Sequence, residues 1–155
     1  MNIEAGFSQV AQSLLWPVLV LVGLAFVYAL WSGGATLMEA WQRWRQPQYR
    51  SLRVAPGLSM EELELQLVRQ VEPVRLLSRL SPMLGLIATM IPMGPALVAV
   101  ASGESQGVAQ SLAPAFASVI VALASASITF VVYTVRRRWL MRELVTMLDA
   151  RDRLS

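Results

Sequence analysis

Cysteine, histidine and lysine are all absent from this chain of 155 residues. Without cysteine, the chain can form no disulfide framework and perform no thiol chemistry. Without histidine, it lacks the commonest metal ligand, the usual haem ligand and the usual proton-relay side chain. We therefore expect no cofactor and no metal site, and any proton transfer must use carboxylates, hydroxyls, water or a partner protein.

Charge is also scarce, since only 15 % of the residues are charged and 55 % are hydrophobic. The deficit is concentrated in three stretches, each long enough to cross a bilayer core of about 30 Å. A soluble protein with three buried helices is the alternative, but these stretches are too long for core helices. The sequence predicts a single all-α membrane domain over residues 1–155. The predicted spans are 14–32, 82–101 and 111–135.

The segments outside the spans carry helix and turn signals. The N-terminal segment has no basic residue, unlike a secretory signal, so we keep the first span as permanent. Gly33-Gly34 either interrupts a helix or marks a close packing contact. Residues 46–57, with two prolines and a glycine, predict a linker. Ser59 and Glu62 form a capping box that opens an amphipathic helix, which packs against its own chain or a sister subunit.

Prolines and a polar turn shape the second and third spans. Ser81-Pro82 predicts a bend where the chain enters the second span. Pro92 and Pro95 lie within it, and each frees a carbonyl group that must find a partner in a helix bundle or a wet cavity. Residues 102–110 predict a short polar turn, and a mixed-charge helix follows the third span.

The arginines predict the orientation of the chain. Seven lie between the first and second spans, six follow the third, and neither the N-terminal tail nor the 102–110 turn has any. The positive-inside rule then places the N-terminus outside and the C-terminus in the cytoplasm. Residues 33–80 and 136–155 become long cytoplasmic helical extensions of an inner-membrane protein.

Small and hydroxyl residues form a stripe on each of the last two spans. The stripe on the third span consists of Ser111, Ala115, Ser118, Ala122, Ser125 and Thr129. The weaker stripe on the second consists of Gly85, Thr89, Pro92, Ala96 and Ala99. One interpretation is close helix packing alone. The other is that some of the hydroxyls line a pore or contact a polar group of a partner, and both can hold at once.

None of the ten acidic residues lies at membrane depth. A proton or ion pathway normally contains an ionisable group. If the chain conducts protons, the carboxylate must therefore come from another subunit.

The segment Pro82-Met-Leu-Gly-Leu-Ile-Ala-Thr89 resembles the second-span motif of the MotA/TolQ/ExbB proton-channel family. The similarity covers about 81–138 by motif and the first span by topology. It implies a homo-oligomer, most simply a pentamer, around a single-span ExbD/TolR-like partner whose membrane aspartate carries the proton. It also implies that Thr89 lines the proton path.

The chain departs from that family pattern at several positions. Ala88 stands where the family often has glycine, Ala115 falls near the third-span threonine, and Ala124 replaces a late proline. Ser118 and Ser125 are candidate substitutes for the missing threonine, and Thr129 continues their stripe. The remaining small residues are interpreted as helix-packing positions: Gly85, Pro92, Ala96, Ala115 and Ala122.

The resulting hypothesis is a short, divergent TolQ/ExbB-like subunit that couples the proton motive force to mechanical work, with no enzymatic activity. A structural membrane subunit without ion flux is the first alternative. A small-molecule transporter is the second, although such proteins usually have more spans or an inverted repeat.

Overall fold

The computed structural model describes residues 3–45 and 60–152, which form three long helices and one short turn. The helices are α1 (Ile3–Arg45), α2 (Met60–Ala101) and α3 (Ser105–Asp152). Each contains a segment long and apolar enough to cross a membrane, with a mean hydropathy of 2.3, 2.0 and 2.3 respectively. The prediction of an all-helical chain with three such helices is confirmed. The predicted linker and Ser59 of the capping box lie outside the described residues.

Helix α1 continues through Gly33-Gly34, so the first of the two interpretations of this pair is wrong. A glycine in a helix keeps its backbone hydrogen bonds and costs only about 1 kcal/mol relative to alanine. A Cβ atom added at Gly33 would lie 3.1 Å from Ile128 Cγ2, whereas one at Gly34 would meet nothing within 4 Å. Gly33 therefore serves the close approach of α1 to α3.

Helix α2 is continuous through Pro73, Pro82, Pro92 and Pro95. The amphipathic segment and the second span, which the sequence analysis treated as separate around Ser81-Pro82, thus form one helix. In the same way, the third span and the mixed-charge segment after it form the single helix α3.

The turn between α2 and α3 contains only residues 102–104, so the prediction of a turn over 102–110 was too long. Gly103 has a φ of 76°, in the left-handed region that glycine adopts without strain. The Gly103 N–H donates to Val100 O at 3.1 Å, and the Glu104 N–H donates to Ala99 O at 2.9 Å. This pair of bonds is a Schellman motif, which closes α2 and lets α3 begin at once.

Helix α3 is the central element and packs against both α1 and α2. Gly33 and Arg43 of α1 face Ile128 and Glu143 of α3, so these two helices run in the same direction. Helix α2 runs the opposite way, as the hairpin requires. Near the ends of α2 and α3 that lie away from the turn, the buried apolar residues are Leu67, Val71, Leu140 and Leu144. This cluster confirms that the amphipathic segment packs against its own chain.

Candidate pore-lining site

The backbones of α2 and α3 approach each other closely at Gly85. A Cβ atom added there would lie 2.9 Å from Ala122 Cβ and 3.2 Å from Val119 Cγ2. Helices in lipid associate through this kind of close contact, because no hydrophobic force drives them together. We call this contact zone, centred on Gly85 and Ala122, the α2–α3 seam.

The residues interpreted as helix-packing positions are buried or half-buried, and two of them, Gly85 and Ala122, form the seam itself. Ala96, Ala115 and Ala122 are buried, as is Gly85, and Pro92 is half-buried. Ala88 is fully buried as well. Its single methyl group is therefore accommodated at the position where the related motif often has glycine.

The three hydroxyl residues predicted on α3 are buried inside the chain. Ser118 Oγ donates to Ala115 O and Ser125 Oγ to Val121 O, each at 2.7 Å. Thr129 Oγ1 donates to Ser125 O at 2.7 Å. Each hydroxyl thus satisfies its donor within its own helix, and its oxygen lone pairs remain available as acceptors.

Thr89 on α2 occupies a different environment. It is half-buried, next to the fully buried Ala88, at the edge of the face that α2 turns toward α3. Its Oγ1 donates to Leu86 O at 2.8 Å. In an antiparallel pair, the step of one turn from Gly85 to Thr89 corresponds to the step from Ala122 to Ser118 on α3. Thr89 and Ser118 therefore lie at the same depth.

A charged network that the sequence analysis missed joins α1 to α3. The Arg43 guanidinium lies 3.1 Å from Glu39 and 2.5 Å from Glu143, and Arg136 lies 3.5 Å from Glu39. The Arg43 guanidinium also stacks on the Trp139 ring, 4.7 Å from its centroid. Glu143 is only 8 % exposed. The spacing of four residues between Glu39 and Arg43 was visible in the sequence, but the pairing between helices was not.

A buried hydroxyl group on α2 has no partner among the described residues. Ser81 is fully buried on α2, and within the described residues its Oγ makes no hydrogen bond. The same part of the chain contains no cluster of acidic residues that could hold a metal ion.

We compared the sequence of the chain with models of protein families. The model of the MotA/TolQ/ExbB proton channel family matches residues 37–149. The chain belongs to this family. No curated protein and no solved structure matches it. As a MotA/TolQ/ExbB protein, the chain is a multi-pass membrane protein of the proton-channel type.

The match includes the whole segment 81–138, in which the sequence resembles the family motif. It begins after the predicted first span and includes both helices of the α2–α3 seam. All four residues predicted to line the proton path fall within it. Their role in this MotA/TolQ/ExbB protein remains a prediction from the motif and from the stripe of hydroxyl residues.

Proposed function

We propose that this MotA/TolQ/ExbB protein is the channel subunit of an inner-membrane complex that couples proton flow to mechanical work, in the service of envelope transport. Two observations together carry the proposal: the family of the chain and the lack of charged side chains in two of its spans. The chain belongs to a proton-channel family, yet no acidic or basic residue lies between Arg79 and Glu104 or between Glu104 and Arg136. In this proposal the chain supplies the walls of the path and performs no covalent chemistry.

The missing titratable group comes from a partner. A single-span protein of the ExbD/TolR type, with an aspartate at membrane depth, supplies it. A threonine hydroxyl can donate a hydrogen bond to the ionised carboxylate and accept one from the protonated acid. It serves both states of the cycle, whereas a fixed charge would favour one of them.

The four hydroxyl residues differ in burial, and this difference supports an assignment of the one that contacts the partner. Thr89 is half-buried at the edge of the bundle, so a partner can reach it without separating α2 from α3. Ser118 lies at the same depth but inside the chain, and Ser125 and Thr129 are buried further along α3. We therefore assign the contact with the partner to Thr89. Ser118, Ser125 and Thr129 extend the path when α2 and α3 separate during the cycle.

The apolar surface of the chain supports an oligomer. Many large apolar side chains are exposed, among them Trp16, Val27 and Leu97. Lipid covers part of this surface, and copies of the chain, five by the family resemblance, cover the rest. Native mass spectrometry in lipid nanodiscs is expected to give a ring of identical subunits. A monomer as the sole species contradicts this assembly.

The orientation follows from the arginines at the ends of the spans. With the N-terminus outside, the Schellman turn at Gly103 faces the periplasm and both arginine-rich ends face the cytoplasm. A reporter active only in the cytoplasm is expected to work after Ser155 and to fail at Glu104. Activity at Glu104 contradicts the proposed orientation.

Thr89→Val tests the proposed site, because it keeps the shape of the side chain and removes its hydroxyl. Proton uptake is measured in vesicles that hold the complete complex, and binding of the partner is followed by pull-down. A hydrogen bond to a charged group contributes about 1.5–3 kcal/mol, so we expect uptake to fall about ten- to hundredfold. Partner binding is expected to be unchanged.

Thr134→Val is the matched control, since Thr134 is also half-buried and also donates to its own helix, at Phe130 O. We expect it to leave proton uptake unchanged. Normal uptake by Thr89→Val refutes the assignment of Thr89. Loss of the partner in the same variant makes Thr89 a packing residue. Wild-type vesicles with the partner but without any proton flux favour the alternative of a structural subunit.

A further inference from the structure

An open apolar groove runs between α1 and α3, close to the ends of these helices that carry the charged network. Its volume is about 480 Å³, within the range of pockets that hold small ligands. We call it the α1–α3 groove. Its walls include Gly33, Leu37, Ala40, Ile128, Val131 and Val135. Leu37 and Val131 remain 73 % and 59 % exposed, so the groove can be entered from the side.

The two hydroxyl groups that line the groove already donate to carbonyl groups of their own helices. Thr36 Oγ1 donates to Ser32 O at 2.8 Å, and Ser127 Oγ donates to Leu123 O at 2.9 Å. The groove therefore offers no free hydroxyl donor to an occupant. An alkyl chain can be buried against such a surface without loss of hydrogen bonds, because it carries no polar group that needs a partner.

A patch of arginines continues the groove along α3. Arg137, Arg138 and Arg142, with Met141, line a second depression of about 520 Å³, and we call them the arginine patch. The steps from Val131 to Val135, Arg138 and Arg142 are four, three and four residues, so these side chains lie on one face of the helix. The seven residues from Val131 to Arg138 correspond to about 10 Å along the axis.

Among the residues that the structure describes, the arginine patch differs from the neighbouring arginines in having no acidic partner. Arg136 and Arg43 turn toward Glu39 and Glu143 within the chain. Arg137, Arg138 and Arg142 are exposed, and within the described residues none of them forms an ion pair. A guanidinium group binds a phosphate oxygen pair in a planar, bidentate geometry. The patch is thus free to bind an anion.

We propose that a phospholipid with an anionic headgroup occupies this site, with an acyl chain in the α1–α3 groove and its phosphate against Arg138 and Arg142. The groove and the arginine patch follow one another along α3 in the same order as the acyl chain and the phosphate in a lipid. The apolar groove lies within the third span, and the arginines begin where that span ends. Anionic lipids attract basic residues at this level of a membrane protein.

The site is tested by native mass spectrometry on the full-length protein in detergent, titrated with phosphatidylglycerol or phosphatidylcholine of the same acyl chains. We expect the wild type to bind phosphatidylglycerol more tightly. Each basic residue near an anionic surface contributes about a factor of five, so Arg138→Gln/Arg142→Gln is expected to lower that affinity about thirtyfold. Arg75→Gln/Arg79→Gln, which removes two exposed arginines of α2, is the matched control and is expected to bind normally.

The groove is tested separately with Val131→Phe, which fills it, and with Ile120→Phe on the exposed surface of α3 as its control. We expect weaker binding of both lipids to Val131→Phe and unchanged binding to Ile120→Phe. Equal affinity for the two lipids in the wild type, or the same loss in the α2 control, overturns the proposal. So does displacement of the lipid by inorganic phosphate, which would identify a site for free anions.

A second copy of the chain is the competing occupant of the groove. The chain has no cysteine, so Leu37→Cys introduces a unique thiol within the groove. In native membranes we expect a thiol-specific, lipid-soluble reagent to label it readily. A cross-link from this cysteine to another copy, with protection from the reagent, overturns the proposal and makes the groove an interface between subunits.

Discussion

At Gly85, α2 approaches α3 so closely that no side chain fits between Gly85 and Ala122, whereas at Leu67 and Leu144 the same two helices meet through large branched apolar side chains. The first contact lies within the membrane spans, where apolar side chains gain nothing by leaving lipid and only close packing holds helices together. The second lies outside the spans 82–101 and 111–135 predicted from the sequence, and in the proposed arrangement the hydrophobic effect operates there. One helix pair is thus stabilised by two different forces along its length.

Gly85→Leu is expected to have the largest effect, because its Cβ alone would already lie 2.9 Å from Ala122 Cβ. Overpacking of this kind costs about 3 kcal/mol. The measurement is unfolding in increasing dodecyl sulfate, followed by circular dichroism. Gly94→Leu is the control, since a Cβ at Gly94 meets nothing within 4 Å.

The pair Gly85→Ala/Ala122→Gly moves one methyl group across the seam and is expected to recover much of the loss from Gly85→Ala. Independent, additive effects of these two changes would contradict a direct contact.

Glu143→Gln tests the ion pairs between α1 and α3, which lie at the same end of α3 as the Leu67–Leu144 cluster. It removes the charge opposite Arg43, which is 19 % exposed and keeps Glu39 as a second partner. Breaking a fully buried pair costs about 3–5 kcal/mol, and we expect about 2 kcal/mol here because Glu39 remains. Glu72→Gln, on the exposed face of α2, is expected to be neutral in the same unfolding assay. Equal stability of the two variants would show that the network does not hold α1 to α3.

Ser81→Ala has the opposite expected sign. Its hydroxyl is buried without a partner in the described part of the chain. An unsatisfied buried polar group costs about 1–3 kcal/mol, so alanine is expected to stabilise the protein by about 1 kcal/mol. Ser78→Ala is the control, because Ser78 Oγ donates to Arg75 O at 2.8 Å. A loss of stability in Ser81→Ala would indicate a bound water or a partner subunit at this hydroxyl.

Thr129→Val is expected to have the smallest effect on stability. Among the described residues, its hydroxyl bonds to carbonyl groups of its own helix, and even hydrogen bonds between membrane helices contribute only about 0.6 kcal/mol. Dodecyl sulfate unfolding is expected to change little. If proton uptake falls sharply in this variant while stability does not, Thr129 belongs to the proton path as well as to the packing.

Much of the fold was predictable because hydrophobic length alone specifies a membrane span. The apolar runs on either side of Gly103 predicted the α2–α3 hairpin, and the spacing of small residues marked Gly85 and Ala122, which the structure places in contact. Gly33-Gly34 could not be decided from local sequence. Whether a glycine interrupts a helix depends on its neighbour in space, which here is Ile128.

The turn and the charged network show two further limits. Residues 105–110 are polar but helical, because the Schellman motif at Gly103 lets α3 start immediately after it. The pairing of Glu39 with Arg136 and of Arg43 with Glu143 depends on how α1 aligns with α3, which no local pattern specifies. The accessibility of Thr89 compared with Ser118 also depends on helix packing. The motif identified Thr89, and the structure adds how exposed its side chain is.

The continuity of α3 has a mechanical consequence. Its 48 residues extend about 72 Å at 1.5 Å per residue, whereas the bilayer core is about 30 Å thick. In the proposed function, a helix of this length would act as a lever arm. A rotation of about 10° about its Ser105 end carries its Asp152 end through about 12 Å. Because ion pairs tie α1 to α3, the end of α1 travels with it, and a small displacement beside the turn becomes a large stroke at the opposite end of the molecule.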